Sequence, residues 1–394
     1  GAGYHYRFSL TPSVYPVRQF TALMGKKLYI ISGEASGDLH GANVMKELYA
    51  GQPDLDIRFW GGDKMQAVGG TLAKHIRDLA FMGFVEVLMN LPTILKNIRF
   101  CKQDILDFQP DALLLIDYPG FNMRIAEWAK KNNIKVYYYI SPTVWAWKEN
   151  RVHKIKRDVY KLFCILPFEA DFYKKYHYDV EYVGHPLLDE IENYRELPKQ
   201  ELPLSDLSDE RPVIAMLPGS RKQELRTKLP VMLPLVDLFP QYRFVIAGAP
   251  NMDMSIYKEL IGEKKVEVVY GMTYPLLQQS EAAVVTSGTA TLETGLFEIP
   301  QVVCYIGNAI SYQIARRLVH VKYISLVNLI LDKEAVTELI QNDCTTERLA
   351  KELALVIEGG SKREQILRDY TQLKDMLGKG GASAKVAQAV LKTI

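Results

Sequence analysis

VTSGTATLE, residues Val285 to Glu293, joins the end of an apolar run to a turn of small residues and then to the start of a helix. Gly288 lets the backbone approach a ligand closely, and Thr289 is placed to cap the helix. Free N–H groups at such a helix start favour a phosphate. Glu293 follows about one helical turn later, where its two oxygens could accept hydrogen bonds from both hydroxyls of a ribose. The alternative is an ordinary capped turn with a solvent-exposed glutamate, and the remaining sequence decides between the two.

Apolar strands and candidate helices alternate on both sides of this stretch, which predicts parallel sheets with helices on both faces. The predicted buried strands of the first half are residues 27–32, 112–117, 135–140 and 161–165. Those of the second half are residues 212–217, 242–247, 266–269, 282–286 and 301–305. From Lys333 on, we expect helices and no further strand. The fold class is therefore α/β, with two facing Rossmann-like doubly wound domains, a helical C-terminal segment and ligand sites at the carboxyl ends of the strands.

The length of 394 residues favours two domains, because single cores rarely grow to that size. A proline- and acid-rich segment, residues 191–210, is the predicted linker. It separates a first domain, residues 24–190, from a second domain, residues 211–394, which carries the terminal helices. Residues 1–23 show no helix or strand period, so we expect them to lie outside the fold, with Met24 as the natural start.

Composition argues against several classes of protein. The chain has 48 Lys and Arg against 46 Asp and Glu, a net charge of +2, which does not indicate a nucleic-acid partner. No apolar run approaches the roughly 18–20 residues of a membrane-spanning helix, so we expect a soluble or peripheral protein. The cysteines form no CxxC pair, which argues against a zinc site and a disulfide framework and favours a reducing cytoplasm; they are Cys101, Cys164, Cys304 and Cys344.

Three loops of the first half carry polar or aromatic residues directly after a predicted strand. GEASGDLHG, residues 33–41, brings Glu34, Ser36 and Asp38 to a helix start, where Ser36 or Asp38 could equally be an ordinary N-cap. DYPGFN, residues 117–122, places its first and last residues at the carboxyl edge of the sheet. SPTVWAW, residues 141–147, sets two tryptophans beside a proline, either as core or as a ligand wall.

A fourth loop, LPGSRKQEL at residues 217–225, belongs to the second half and again combines a strand end, a tight turn and a helix start. Its Arg221 is placed to meet a phosphate, because a guanidinium fork matches a diphosphate in charge and geometry. An arginine that only faces solvent is the alternative.

Nine motifs together resemble the lipid-A-disaccharide synthase family: SGEASGDLHGA, FMGFVEVL, IDYPGFN, SPTVWAW, LPFE, VGHP, LPGSR, SGTATLE and YISLVNLI. They run in order from about residue 32 to residue 339. The resemblance implies the glycosyltransferase B fold and an inverting transfer that needs no metal or other cofactor. The implied substrates are a UDP-2,3-diacylglucosamine donor and a 2,3-diacylglucosamine 1-phosphate acceptor, and the products are a β-1,6-linked disaccharide and UDP.

The resemblance also implies roles for residues at matching positions. Arg221 would hold the diphosphate, and the rest of the donor site would consist of Ser287, Gly288, Thr289, Glu293 and Asn328. The acceptor side would consist of Glu34, Ser36, Asp38, Asp111, Asp117 and Asn122. Gly120 departs from the pattern, since many members have an acid there, and any role of that acid cannot apply to this chain.

Asp38 and Asp117 are rival candidates for the base that takes a proton from the 6-hydroxyl of the acceptor. The helix dipole at Asp38 lowers its basicity, whereas burial at a strand end raises the basicity of Asp117. The turn at Gly37 is expected to bring Asp38 closer to the ligand, and a base must first reach its proton, so the sequence favours Asp38. Arg221 and the helix starts would stabilise the charge that develops on the diphosphate.

Residues 82–100, MGFVEVLMNLPTILKNIRF, are apolar on nearly all faces of a candidate helix that is interrupted at Pro92. Such a helix is commonly part of a core, but the positive charge near its end is typical of an interfacial helix and comes from Lys96, Arg99 and Lys102. A similar cluster contains Arg316, Arg317, Lys322, Leu318, Val319 and Tyr323. We therefore expect peripheral association with the inner membrane. A homodimer is compatible with the sequence, which does not determine the oligomeric state.

Two alternatives remain at this point. A UDP-N-acetylglucosamine 2-epimerase would share the glutamate that binds UDP but would not need the apolar, basic segment at residues 82–102. A non-catalytic nucleotide-sugar or lipid-binding module would not need the acidic and basic residues that the loops retain.

Overall fold

The structure, a computed structural model, describes residues 25–79, 90–140, 150–307 and 322–394. Its first sheet has seven strands in the order β3-β2-β1-β4-β5-β6-β7. These strands are β1 (Lys27–Ile31), β2 (Asp56–Gly61), β3 (Thr71–His75), β4 (Ala112–Ile116), β5 (Lys135–Tyr139), β6 (Lys161–Cys164) and β7 (Glu181–Tyr182). The accompanying helices are α1 (Ala35–Gly51), α2 (Asp63–Val68), α3 (Leu91–Phe108), α4 (Pro119–Lys131), α5 (Asn150–Asp158), α6 (Pro167–Lys174) and α7 (Pro186–Glu196), with a 3-10 turn at Ile76–Leu79.

The second sheet has six parallel strands in the order β10-β9-β8-β11-β12-β13. They are β8 (Val213–Leu217), β9 (Arg243–Gly248), β10 (Glu267–Tyr270), β11 (Ser280–Thr286), β12 (Gln301–Tyr305) and β13 (Thr337–Ile340). The helices are α8 (Lys222–Met232), α9 (Leu235–Leu238), α10 (Met254–Ile261), α11 (Thr273–Gln278), α12 (Thr289–Leu296), α13 (Leu326–Leu331), α14 (Thr346–Val356), α15 (Arg363–Leu377) and α16 (Ala382–Thr393), with a 3-10 turn at Gln341–Asp343.

Each sheet has one point where the strand order reverses. In the first sheet the chain builds outward from β1 to β3 and then returns to place β4 on the other side of β1. In the second sheet β11 returns to the open side of β8 in the same way. The loops that leave the two central strands of such a sheet diverge and open a crevice at the carboxyl ends, where ligands of doubly wound folds bind.

The strands at these two points are largely buried. All five residues of β4, ALLLI, are buried, and the last four residues of β1 and β8 are buried as well. Full burial of a leucine or isoleucine side chain contributes about 1.5–3 kcal/mol, so these strands are rigid supports for the loops that follow them.

The nine predicted strands are confirmed as β1, β4, β5, β6 and β8–β12, and the α/β class with two parallel-type sheets is confirmed with them. The prediction of no strand after Lys333 is wrong, because β13 pairs with β12. The sequence also missed β2, β3 and β7. Strands β3, β7 and β13 lie at sheet edges and are largely half-exposed, so they lack the apolar run that marks a buried strand. In β2 the apolar pattern is broken by Arg58, which is bound to Asp104 of α3.

The argument against disulfides is wrong for one pair of cysteines. Cys304 of β12 and Cys344, just after the second 3-10 turn, form a disulfide with their Cα atoms 6.1 Å apart. The two residues are 40 positions apart in sequence, and only the pairing of β12 with β13 brings them together. Cys101 and Cys164 are buried free thiols.

Contacts divide the described chain into two compact units. The first contains the described parts of Gly1–Pro142, with Arg157–Leu162 and Ser383–Ile394; the second contains the described parts of Thr143–Lys156 and Phe163–Ala382. These bounds differ from the predicted domain boundaries, since residues 191–210 lie inside the second unit and the end of the chain lies with the first. The end of α16 is held there by Lys135, whose Nζ donates to the Thr393 carbonyl at 2.6 Å.

Candidate functional site

A cavity of about 400 Å³ lies at the carboxyl end of the second sheet, where the strand order reverses. Its walls come from the loop after β8 (219–221), the loop after β9 (248–250), the turn and helix start after β11 (287–290), and Glu293. Its volume falls within the range of about 300–1,000 Å³ that is usual for small-molecule sites. The structure thus brings together five residues that the sequence assigned to the donor: Arg221, Ser287, Gly288, Thr289 and Glu293.

Two helices begin at this cavity, and neither start is capped by a side chain. Helix α12 follows Gly288, which is the N-cap and has a φ of 112° that favours glycine. The expectation that Thr289 caps this helix is therefore wrong, because Thr289 is its first helical residue. Helix α8 follows Arg221, which also provides no side-chain cap. Uncapped N–H groups at a helix start are the groups that favour an anion, and two such starts face this cavity.

The guanidinium of Arg221 lies at the start of α8, and 65% of the Arg221 side chain is exposed. Its Nε lies 3.9 Å from an oxygen of Glu224, whose other oxygen lies 3.5 Å from Nζ of the buried Lys228. Burial lowers the pKa of Lys228, and Glu224 opposes that shift. An exposed ion pair at that distance contributes little, so Arg221 is not committed to Glu224 and can turn to an anionic ligand.

Glu293 is half-buried in α12 and lines the cavity, which excludes the alternative of a solvent-exposed glutamate. Burial raises the pKa of its carboxyl, and a hydrogen bond from the Tyr274 hydroxyl partly opposes that shift. A half-buried carboxylate facing a cavity is the acceptor that a ribose hydroxyl pair requires.

Asn328 does not belong to this cavity, contrary to the expectation from the family pattern. Its side chain is fully buried and accepts from the N–H groups of Ala335 (2.8 Å) and Val336 (3.0 Å). Its Nδ2 donates to the Val336 carbonyl at 2.8 Å and to Glu338 at 3.0 Å. Because all of its hydrogen-bonding capacity is used within the chain, Asn328 fixes the connection from α13 to β13.

Asp117 lies at the corresponding reversal point of the first sheet, directly after β4. It has a φ of 48°, and its peptide group is held by hydrogen bonds from its N–H to the Tyr139 carbonyl (2.9 Å) and to its carbonyl from the Tyr138 hydroxyl (2.7 Å). Burial, with a further contribution from the negative charge of Glu34, raises the pKa of its carboxyl to about 6. A carboxylate with that pKa can accept a proton near neutral pH.

Tyr118, which the sequence argument missed, packs the two loops of this site together. A side chain on Gly33 would collide with the ring of Tyr118, so the loop after β1 needs glycine there. The same ring stacks on Phe121 with centroids 5.4 Å apart. This packing accounts for the charge interaction of Glu34 with Asp117. The signal in the sequence was a tyrosine between an aspartate and a helix-starting proline.

Asp38, the base that the sequence favours, is buried and already bound. Its carboxylate accepts from the backbone N–H groups of Gly62 (2.8 Å), Lys64 (3.1 Å) and Met65 (3.0 Å), and so caps helix α2. Three such bonds engage both oxygens of the carboxylate and hold it against the start of α2. The geometry therefore favours Asp117 over Asp38 as the base.

The other acceptor-side residues separate into three groups. Asp111 lies at the amino end of β4, the opposite end from Asp117, where it accepts from the N–H of Lys27 at 2.8 Å, so the structure does not bring it to the predicted acceptor side. Asn122 is fully buried, and its Nδ2 donates to the carbonyl of Asp117 at 2.9 Å. Asn122 therefore stabilises the loop after β4. Glu34 and Ser36 are exposed at the start of α1.

Helix α3 exposes several large apolar side chains. Pro92 lies in its first turn, so it starts this helix and does not interrupt it. Ile98, Cys101 and Ile105 are buried, whereas four large apolar side chains remain 42–46% exposed: Leu91, Leu95, Phe100 and Leu106. Lys96 and Arg99 are exposed on the same helix. In the part of the chain that the structure describes, no helix combines the length and apolarity needed to cross a bilayer.

Several predicted features lie outside the described residues. They are the SPTVWAW loop with its two tryptophans, the FMGFVEVL motif, and Arg316 and Arg317 of the second basic cluster. Among the described ranges no group of three or more His, Cys, Asp or Glu side chains is arranged to hold a metal ion, and the expectation of a metal-free reaction stays a prediction.

Two doubly wound sheets, one with a cavity at its reversal point, are the architecture of the two-domain B class of glycosyltransferases. The sequence profile described as lipid-A-disaccharide synthetase matches residues 28–393. The chain belongs to this family. The lipid-A-disaccharide synthase of Syntrophus aciditrophicus (strain SB) is 37% identical over 376 residues, which cover 94% of this chain and 98% of that protein.

Solved structures confirm the fold. The crystal structure of UDP-GlcNAc 2-epimerase from Neisseria meningitidis bound to UDP-GlcNAc superposes with a TM-score of 0.65 at 14% identity and covers 93% of this chain and 100% of that chain. The glycotransferase of kitacinnamycin superposes with a TM-score of 0.62 at 12% identity, covering 93% of this chain and 98% of that chain. At such low identity both likenesses concern the fold alone.

Proposed function

We propose that this chain transfers a 2,3-diacylglucosamine unit from its UDP derivative to the 6-hydroxyl of 2,3-diacylglucosamine 1-phosphate, with inversion at the anomeric carbon. Membership of the family supports the reaction. The single observation that carries the assignment of the donor site is the cavity after β8 and β11, which combines two uncapped helix starts, Arg221 and Glu293. A nucleoside diphosphate presents the complementary groups, a charged diphosphate and a ribose diol.

In the donor site the N–H groups at the starts of α8 and α12 and the Arg221 guanidinium bind the diphosphate. Ser287, Gly288 and Thr289 form the turn that brings the backbone to it. Glu293 accepts from the ribose hydroxyls. The same positive groups bind more strongly as negative charge grows on the leaving UDP, which is how they lower the barrier.

In the first unit Asp117 is the proposed general base. As the oxygen of the 6-hydroxyl forms its bond to the anomeric carbon, the bond from that carbon to the diphosphate oxygen breaks and UDP leaves with the electron pair. The hydroxyl proton passes to the Asp117 carboxylate. Glu34 assists by raising the basicity of Asp117 through its negative charge.

Both substrates carry acyl chains, so the enzyme also needs access to lipid. Helix α3 supplies exposed leucines together with Lys96 and Arg99, which matches an anionic bilayer surface. We assign α3 as a peripheral contact with the cytoplasmic face of the inner membrane.

The reaction is tested by incubating the protein with both diacylated sugars in detergent and following UDP together with lipid product. The proposal predicts that UDP and a β-1,6-linked disaccharide 1-phosphate appear in equal amounts and only when both sugars are present. UDP release without the acceptor, or epimerisation of UDP-N-acetylglucosamine without transfer, would contradict it.

A further inference from the structure

A negative charge lies in the wall of the cavity that is proposed to bind the diphosphate. Glu224 of α8 lines this cavity together with Arg221, which precedes it by three positions on the chain. The side chain of Glu224 lies directly against the turn after β8, because a Cβ at Gly219 would overlap its carboxylate. A carboxylate at this place opposes the binding of an anion in two ways. It repels the diphosphate, and it competes with the diphosphate for the Arg221 guanidinium.

Lys228 lies where it can neutralise this charge. It follows Glu224 by one helical turn on α8, and its Nζ lies 3.5 Å from Oε2 of Glu224. The side chain of Lys228 is only 4% exposed, and its Nζ lies over the ring of Tyr305, 6.0 Å from the centroid. Lys228 is not one of the described residues that line the cavity, so it is not placed to contact a ligand there.

Two cations of α8 compete for this one carboxylate. Lys228 is buried and faces Oε2, whereas Arg221 is largely exposed and its Nε lies 3.9 Å from Oε1. A buried charge that loses its partner is strongly destabilised, whereas an exposed cation is solvated by water. Consistent with this, burial lowers the pKa of Lys228 and the charge of Glu224 opposes that shift. Glu224 therefore pairs more favourably with Lys228 than with Arg221, and the guanidinium can turn to an anion.

We propose that Lys228 is a positioning residue of the donor site, which neutralises Glu224 and thereby keeps the Arg221 guanidinium available for the diphosphate. This inference rests on the proposed function, in which Arg221 binds the diphosphate of the donor. Without Lys228, Glu224 would pair with Arg221 instead, and the diphosphate would lose its guanidinium partner. The effect should be specific to the phosphates, because the nucleoside part of the ligand carries no charge.

The test compares the binding of UDP and of uridine to the full chain, by calorimetry for UDP and by NMR titration for uridine. Lys228→Met keeps an unbranched side chain and removes the charge, and thermal unfolding verifies the fold. We expect UDP to bind about 10-fold more weakly and uridine to change by about twofold or less. Arg226→Met is the matched control, because it removes an exposed cation from the same helix, and it should leave both affinities unchanged. Should Lys228→Met not fold, Lys228→Gln is measured in its place with the same expectations.

A double-mutant cycle separates the pairing with Glu224 from a general loss of positive charge. In a Glu224→Gln background, Lys228→Met should weaken UDP binding by about twofold or less, because the carboxylate that Lys228 neutralises is gone. Unchanged UDP binding in Lys228→Met, equal weakening of UDP and uridine, or the same loss in both backgrounds would overturn the inference. If Arg221→Ala binds UDP as well as the wild type does, the proposed donor site fails, and this inference fails with it. If Arg221→Ala weakens UDP binding and Lys228→Met does not, only this inference fails.

Discussion

The two sheets reverse their strand order in the same way but place opposite charges at the reversal points. After β8 and β11 the chain offers Arg221 and two uncapped helix starts, whereas after β1 and β4 it offers Glu34 and Asp117. The helix start after β1 differs from those of α8 and α12. The carboxylate of Asp38 in its first turn accepts hydrogen bonds from the start of α2. The two sheets share a topology but differ in chemistry. The crevice of the second sheet suits a leaving anion, and the crevice of the first sheet suits the removal of a proton.

This comparison shows which contacts distinguish a carboxylate that can act as a base from one that stabilises the fold. Asp38 and Asp117 both follow central strands of the first sheet, but Asp38 is buried and accepts three backbone N–H groups, whereas Asp117 is half-buried with its pKa raised to about 6. The carboxylate of Asp38 is therefore bound within the fold, whereas partial burial and the charge of Glu34 raise the basicity of Asp117.

The largest effect is expected at Asp117. Asp117→Asn removes the base and should lower kcat by roughly 10²–10⁴-fold while leaving UDP affinity nearly unchanged. Steady-state kinetics and calorimetry on the same preparation measure both quantities. Asp38→Asn is the control: an amide cannot accept all three N–H groups, so we expect a lower unfolding temperature with a kcat within about tenfold of the wild type. The reverse pattern would return the base to Asp38.

In the crevice of the second sheet, Arg221→Lys keeps the charge but loses the guanidinium fork. We expect turnover to fall by roughly 10²-fold, because a single ammonium cannot replace paired donors on a developing diphosphate charge. Arg226→Lys, an exposed change on the same helix α8, should have no effect. Near-normal turnover of Arg221→Lys would show that charge alone matters at this crevice.

Glu293→Ala should weaken UDP binding by about 1.5–3 kcal/mol, because a charged acceptor for two hydroxyls is lost. Isothermal titration calorimetry with UDP measures this directly. Glu298→Ala, which removes an exposed glutamate just beyond the end of the same helix, is the matched control and should bind UDP normally. Equal affinities for Glu293→Ala and the wild type would remove the ribose from this part of the cavity.

The smallest effect concerns the membrane. Replacing Leu91 and Leu95 with serine should lower sedimentation with anionic vesicles by several-fold, because apolar side chains are removed from the lipid contact. UDP affinity should not change. Leu238→Ser in α9, also more than half exposed at 56%, is the control and should sediment normally. If the double variant sediments as the wild type does, α3 is not the membrane contact.

The buried strands and the donor turn could be predicted from the sequence, whereas residue roles that depend on a distant partner could not. KLYII, ALLLI and AAVVT are recognisable because burial on both faces demands an apolar run. Asp38 and Asn328 look like ligand-binding residues in their motifs, and only the positions of Gly62–Met65 and Ala335–Val336 show that both are used within the fold. Likewise, the pairing of β12 with β13 was needed to bring Cys304 to Cys344.

The division of labour between the two crevices is tested most directly by the pH dependence of kcat at saturating donor, measured for the wild type and for Asp117→Asn. The base must be ionised to accept a proton, and its pKa is about 6, so the wild-type kcat should be constant above that pH and fall about tenfold per pH unit below it. Asp117→Asn should be slow and should lack this acid limb. An acid limb near pH 6 that persists in Asp117→Asn would contradict the account, because another group would then be the base.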